Sequence, residues 1–171
     1  MSETKGRWKI WGVVAIVLLV LGVIPLAYVS TVEDEDMGLL IGEKVCLFSG
    51  FAGQVMLNGE PASGAKLTRT YEFKNTEHKD VVTADEEGRF SFESVWDKQR
   101  GLVVQFVSRQ KILVEYQGQE HLIWTGGKLI EEEFGEFGGA KPQNLRCELG
   151  EDLRRVDMEM GFIGTTCHWD Q

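Results

Sequence analysis

Thr83-Ala84-Asp85-Glu86-Glu87-Gly88-Arg89-Phe90-Ser91-Phe92 reads as a strand end, a reversal and a second strand, and this stretch decides the fold. Asp85 to Gly88 has the residues of a reversing turn. Phe90 and Phe92, two positions apart, then face the same side of a pleated strand. Strand, turn and strand packed so closely make a hairpin.

The same grammar extends in both directions from Val45 onward, where short β-rich runs alternate with Gly, Asn, Asp and Pro clusters. Candidate strands are Gly53 to Leu57, Ala65 to Phe73, Asp80 to Ala84, Arg89 to Val95, Leu102 to Ser108, Lys111 to Tyr116, His121 to Thr125, Asn144 to Leu149 and Arg155 to Met160. Asn58-Gly59 and Gln117-Gly118 supply tight turns. Leu102, Val104 and Phe106 repeat the inward alternation, and two sheets packed face to face bury such residues. The expected fold is all-β and antiparallel, without internal repeats. Glu131 to Gly139 is the long irregular segment.

The spacing of Gly53-Gln54-Val55, Asn58-Gly59-Glu60-Pro61, Gly64-Ala65-Lys66-Leu67 and Thr83 to Phe92 resembles the carboxypeptidase regulatory-like domain. A looser resemblance takes in Cys46 to Ser49, Gln110 to Tyr116, His121 to Trp124 and Asn144 to Leu149. There the chain is similar to an uncharacterised family of small bacterial envelope proteins built on this domain. The resemblance implies a prealbumin-like β-sandwich of seven or more strands over about Cys46 to Leu149, and it implies no activity, because such domains serve in folding, adhesion or interaction. It also implies a disulfide between Cys46 and Cys147, with Cys147 to Cys167 as the competing pair.

Ahead of this domain, no charged residue occurs between Ile10 and Val32, a length that matches a hydrocarbon core of about 30 Å. Apolar side chains surround the whole segment, so it has no polar face to lie on a surface. Lys5, Arg7 and Lys9 precede it and Glu33 to Asp36 follow, which by charge bias leaves the N-terminus cytoplasmic. Pro25-Leu26-Ala27 is a poor cleavage site for a signal peptide. The expected organisation is a cytoplasmic tail 1–9, a single transmembrane helix 10–32, a linker 33–44 and a β domain 45–171. In bacteria this places the domain in the periplasm, anchored to the inner membrane.

The first 32 residues carry one acid against three bases, so all of the net charge of −9, and two units more, falls on the remainder. So acidic a domain is unsuited to nucleic acid and suited to solubility or to a basic protein partner. His78, His121 and His168 are scattered without ligand spacing, the three cysteines show none, and no metal or cofactor is implied. Ser49 and Ser91 lack a nucleophile elbow, and Gly126-Gly127-Lys128 lacks the spacing of a phosphate loop and reads as a strand-end turn. No constellation of acid, base and nucleophile can be assembled, so a catalytic role is not expected.

Binding remains. Glu131, Glu132, Glu133 and Glu136 interleave with Phe134 and Phe137 in a loop long enough to dock a basic partner. The alternative is that the phenylalanines fold back to cap the sandwich while the glutamates are solvated. Trp169, near the end, leans towards contact. The expected function is a non-enzymatic, membrane-anchored periplasmic binding protein, in its sharpest form an immunity protein that neutralises a basic toxin. A structural or accessory subunit of an envelope complex and an envelope enzyme are the alternatives.

Overall fold

The computed structural model describes residues 42–99 and 105–170. The expected transmembrane segment, tail and most of the linker lie outside the described residues, among which no helix is long and apolar enough to cross a membrane.

The chain runs through β1 (Glu43–Phe48), β2 (Phe51–Leu57), β3 (Glu60–Pro61), β4 (Lys66–Phe73), β5 (Thr76–Thr83), β6 (Arg89–Phe92) and β7 (Val95–Gln99). It continues through β8 (Ser108–Tyr116), β9 (Gln119–Lys128), a 3₁₀ turn at Gly135–Phe137, β10 (Gln143–Glu148), β11 (Arg154–Asp157), β12 (Phe162–Thr165) and β13 (Cys167–Asp170). Two-residue turns explain the hairpins: Asn58 and Gly59, Lys74 and Asn75, and Gln117 and Gly118 all take positive φ. That is the backbone whose twist matches paired strands. The turn at Lys74-Asn75 is not evident in the sequence, and it lets β5 begin four residues before the expected Asp80 strand.

Six strands form one sheet in the order β11-β12-β9-β8-β4-β5, and five form another in which β2 is central. Gln54 pairs with Arg146 of β10 and with Arg89 of β6, so these neighbours lie on opposite edges of β2. Met56 pairs with Pro61 of β3 on the β6 side. Among the described residues all strand pairings are antiparallel except β2 with β10, which is parallel and departs from the sequence expectation. A separate ribbon pairs β1 with β7.

Several expectations differ for physical reasons. The Asp85 to Gly88 turn forms but closes no hairpin: β5 pairs with β4 in one sheet and β6 with β2 in the other, so the turn carries the chain between sheets. The expected strand Arg89 to Val95 is broken at Glu93-Ser94, where the chain leaves β2 for β1 and the Ser94 hydroxyl accepts the Gly50 amide at 2.7 Å. Residues 105–107 are not strand, and the earlier part of the expected Leu102 strand lies outside the described residues. Strands β12 and β13 are too short to show a period of two; each is fixed by its partner, β9 and β10.

The inner faces of the two sheets enclose one core. Phe51, Val55, Phe90, Phe92 and Leu145 enter it from one sheet, and Leu67, Ile112, Ile123, Trp124 and Ile163 from the other. Phe51 and Trp124 meet edge to face across the layers, their centroids 5.0 Å apart, an arrangement that aromatic quadrupoles favour. β4 alternates as a half-buried strand should, yet its inward set includes Arg69 between Leu67 and Tyr71. That guanidinium donates to Asp80 Oδ2 at 2.5 Å and to the Glu93 carbonyl at 2.7 Å, and it lies over the Phe92 ring.

The disulfide joins Cys147 to Cys167, and Cys46 is a buried free thiol. This corrects the expected Cys46 to Cys147 bridge. The cause is register: Cys147 of β10 stands directly opposite Cys167 of β13, whereas Cys46 lies on β1, which pairs with β7.

Non-reducing digestion is expected to recover a Cys147–Cys167 peptide, with Cys46 alkylated only after denaturation. Gly53→Ala is expected to destabilise the fold by about 1–3 kcal/mol, read as a lower urea midpoint. A β-carbon at Gly53 would lie 2.5 Å from the Leu145 carbonyl oxygen and 2.4 Å from its side chain.

Candidate functional site

The loop that follows β9 folds onto the end of the sandwich and is fixed from beneath by charge. Along β8 and β9 the inward positions run Ile112, Gln110 and Ser108 opposite Trp124, Gly126 and Lys128. Alternation therefore delivers the Lys128 ammonium into the core, 1% exposed, and the 3₁₀ turn delivers Glu136 to meet it. An isolated ion at such a depth is costly, so both must be paired and hydrogen-bonded.

They are. The Lys128 Nζ donates to Glu136 Oε2 and, at 3.1 Å, to the Ser49 hydroxyl. Glu136 Oε2 also accepts the Ser49 hydroxyl at 2.7 Å, while Oε1 accepts the Ser49 amide at 2.9 Å and Gln110 Nε2 at 3.2 Å. Four donors fill the four acceptor positions of the carboxylate. The Ser49 hydroxyl, donating once, also accepts the Phe134 amide at 2.7 Å. Gln110 is held in turn by Trp124 Nε1 at 3.1 Å and by its own bond to the Leu47 carbonyl at 3.0 Å.

Phe134 pays a conformational penalty here, with φ at 62°, a region bulky residues avoid. Its carbonyl accepts the amides of Phe137 and Gly139, so the tight turn is held on both sides. Gly135 is required for space, since a β-carbon there would lie 2.8 Å from the Ile130 side chain. Phe137 then drops into the core, 5.3 Å from the Trp124 ring and 5.3 Å from the Trp169 ring.

The predicted docking residues are thus divided. Glu136 and Phe137 are buried and take no part in a docking surface, which corrects the sequence expectation for both. Phe134 is partly buried against the core, so the fold-back alternative describes the phenylalanines. It does not describe Glu136, a core residue. Glu133 is bonded to the Ser94 hydroxyl. Glu132 is exposed and Glu131 half-buried. Burial pushes the Glu131 carboxyl above its ordinary range, and Glu43 and Glu132 add to that rise. Trp169 is half-buried and spends much of its ring on Trp124, at 6.1 Å, and Phe137.

Ser49, Lys128 and Glu136 have the residue types of a nucleophile, a base and an acid, but none is accessible. Cys46, 3.7 Å from the Ser49 hydroxyl, is buried beside them, and burial pushes its thiol pKa up, away from the thiolate needed for reaction. The chemistry this arrangement performs is positional: it holds a loop. Among the described residues no cluster of His, Cys, Asp and Glu is arranged to hold a metal ion.

A second feature lies on the outer face of the five-stranded sheet. An open groove of about 570 Å³ is lined there by Ala52, Gln54, Arg89, Asn144 and Arg146, among others. Sequence reading singled out none of these as site residues, because their alignment arises only through pairing of β2 with β6 and β10.

Lys128→Met or Glu136→Leu alone is expected to cost about 3–5 kcal/mol, because each leaves an uncompensated buried charge. The double substitution is expected to cost less than the sum of the two, and equilibrium denaturation of the four proteins measures the coupling.

A domain of unknown function, DUF6795, matches residues 51–152, more than half of the chain. No curated protein and no solved structure matches. The matched segment holds Lys128, Gln110, Glu136 and the whole loop, together with Gln54, Arg89 and Arg146 of the groove. By that match the chain belongs to the DUF6795 family.

Proposed function

We propose that this chain is a non-enzymatic binding protein of the bacterial envelope, anchored by a transmembrane helix at Ile10 to Val32 with its β domain in the periplasm. We read the domain as a prealbumin-like, carboxypeptidase regulatory-like sandwich, and the function as immunity: capture of a basic toxin that arrives at the membrane.

What carries the reading is the loop pinned by Lys128, Glu136 and Ser49, which presents the exposed Glu132 beside the half-buried Glu131. A binding loop ordered in advance loses little entropy when a partner docks, so more of the contact energy appears as affinity. The rest of the acidic domain supports the same reading, because the residues after the first 32 carry all of the net charge of −9 and two units more, which raises the encounter rate with a basic partner. Supporting it also is the use of Ser49, Lys128 and Glu136 on one another, beneath the surface and out of reach of a substrate.

The test uses the full, anchored chain in bacteria challenged by a competitor that delivers toxins to the periplasm. Cells carrying the chain are expected to survive, and in-cell crosslinking is expected to join the toxin to the loop. Glu131→Lys combined with Glu132→Lys is expected to slow capture about tenfold, most strongly at low salt. Equal survival of cells with and without the chain would overturn the immunity reading.

A further inference from the structure

The outer face of the five-stranded sheet carries a polar row that the loop does not use. Register aligns His168 of β13, Arg146 of β10, Gln54 of β2 and Arg89 of β6 across four adjacent strands. Residues paired directly across strands project to the same face. Their chain neighbours Cys147, Val55 and Phe90 are in the core, so this row faces outward. Strands lie about 4.8 Å apart, which places the Arg146 and Arg89 backbones about 10 Å from each other with Gln54 between them. Two side chains as long as arginine can close on one ligand across that span.

The row borders the groove of about 570 Å³, a volume suited to a small molecule. The groove forms where β10 has yet to join β2: their ladder begins at the Arg146 and Gln54 pair. Asn144, just ahead, has φ at 50°, and β10 slips register against β13 between Gln143 and Arg146. Gly53 permits the Leu145 backbone to pass there.

The charge balance makes this row unusual. Acids outnumber bases by 27 to 18 in the chain, yet the Arg146 guanidinium has no ion pair or hydrogen bond among the described residues. Arg89 reaches only Glu87, at 4.0 Å, with both side chains largely exposed, a contact too loose to occupy it. His168 stands 3.4 Å from Glu151, and Asn144 donates to Asp170 at 2.8 Å, so acids lie at the far end of the row. Gln54 donates to the Glu87 carbonyl at 2.6 Å, which fastens the Asp85–Gly88 turn beside Arg89. Guanidinium groups match planar or tetrahedral oxyanions with paired N–H donors.

We propose that this groove binds a small soluble ligand through an oxyanion, a carboxylate or a phosphate, held between Arg146 and Arg89. The site is independent of the toxin-docking reading, since neither Glu131 nor Glu132 lines it.

The experiment titrates the full chain in detergent micelles with inorganic phosphate and, separately, with succinate, at constant ionic strength, following backbone amide resonances. Saturable shifts at Gln54, Arg89 and Arg146 are expected with at least one probe, and the probe that saturates identifies the oxyanion class. Arg146→Gln and Arg89→Gln, both at exposed positions, are expected to weaken that binding about tenfold each while leaving the remaining spectrum in place. Glu131→Lys with Glu132→Lys is expected to leave it unchanged, which separates failure of this site from failure of the docking loop. No saturable shift with either probe, or an affinity unchanged from the parent chain in either arginine variant, overturns the proposal.

Discussion

The burial of Lys128 against Glu136 is the constraint on which the end of the sandwich depends. Two charges with almost no solvent exposure can persist only where each is paired and hydrogen-bonded by its surroundings. Those surroundings come from distant parts of the chain: Ser49 from the turn between β1 and β2, Gln110 from β8, and the Phe134 amide from the loop itself. Moving any one of these segments would strand a charge. The pair thus acts less as a source of stability than as a registration device, since an apolar pair could fill the same space without fixing where the loop must sit.

Aromatic packing builds on that registration. With Glu136 fixed, its neighbour Phe137 is directed at Trp124, Phe51 and Trp169, and one cluster of rings joins both sheets to the loop. Arg69 shows the same solution at another point of the core, where Asp80 neutralises an inward guanidinium and Phe48 and Phe92 cover it. Both buried cations are placed by strand alternation, and both are kept by partners from elsewhere in the sequence. The interior of this domain is therefore specified by polar contacts as well as by apolar volume.

The two sheets divide the remaining work. The six-stranded sheet supplies Lys128, Gln110 and Trp124 and so supports the loop, while the five-stranded sheet carries the arginine row on its outer face. The parallel pairing of β2 with β10 shapes that face, because it starts late and leaves the groove beside Gly53. The disulfide ties β10 to β13 on the other side and holds Arg146 and His168 in register.

Local chemistry was sufficient for the all-β class and for much of its punctuation. Asn58-Gly59, Gln117-Gly118 and the Asp85 to Gly88 turn declare themselves because positive φ selects for few residue types, and Phe90 and Phe92 because a pleat has a period of two. Lys128 was not legible: Gly126-Gly127-Lys128 has the residues of a strand-end turn, yet β9 runs on through it, and only pairing with β8 places Lys128 opposite Ser108 on the inner face. What makes an inward lysine acceptable is not local: Ser49 lies 79 residues away and Glu136 in a segment without periodicity. The cysteine pairing, the burial of Glu136 and the alignment of Arg89 with Arg146 all depend on which strands become neighbours. By itself the sequence determined where strands and turns form, since those are settled within a few residues. Only the tertiary structure decided which side chains meet, because that is set by sheet order and register.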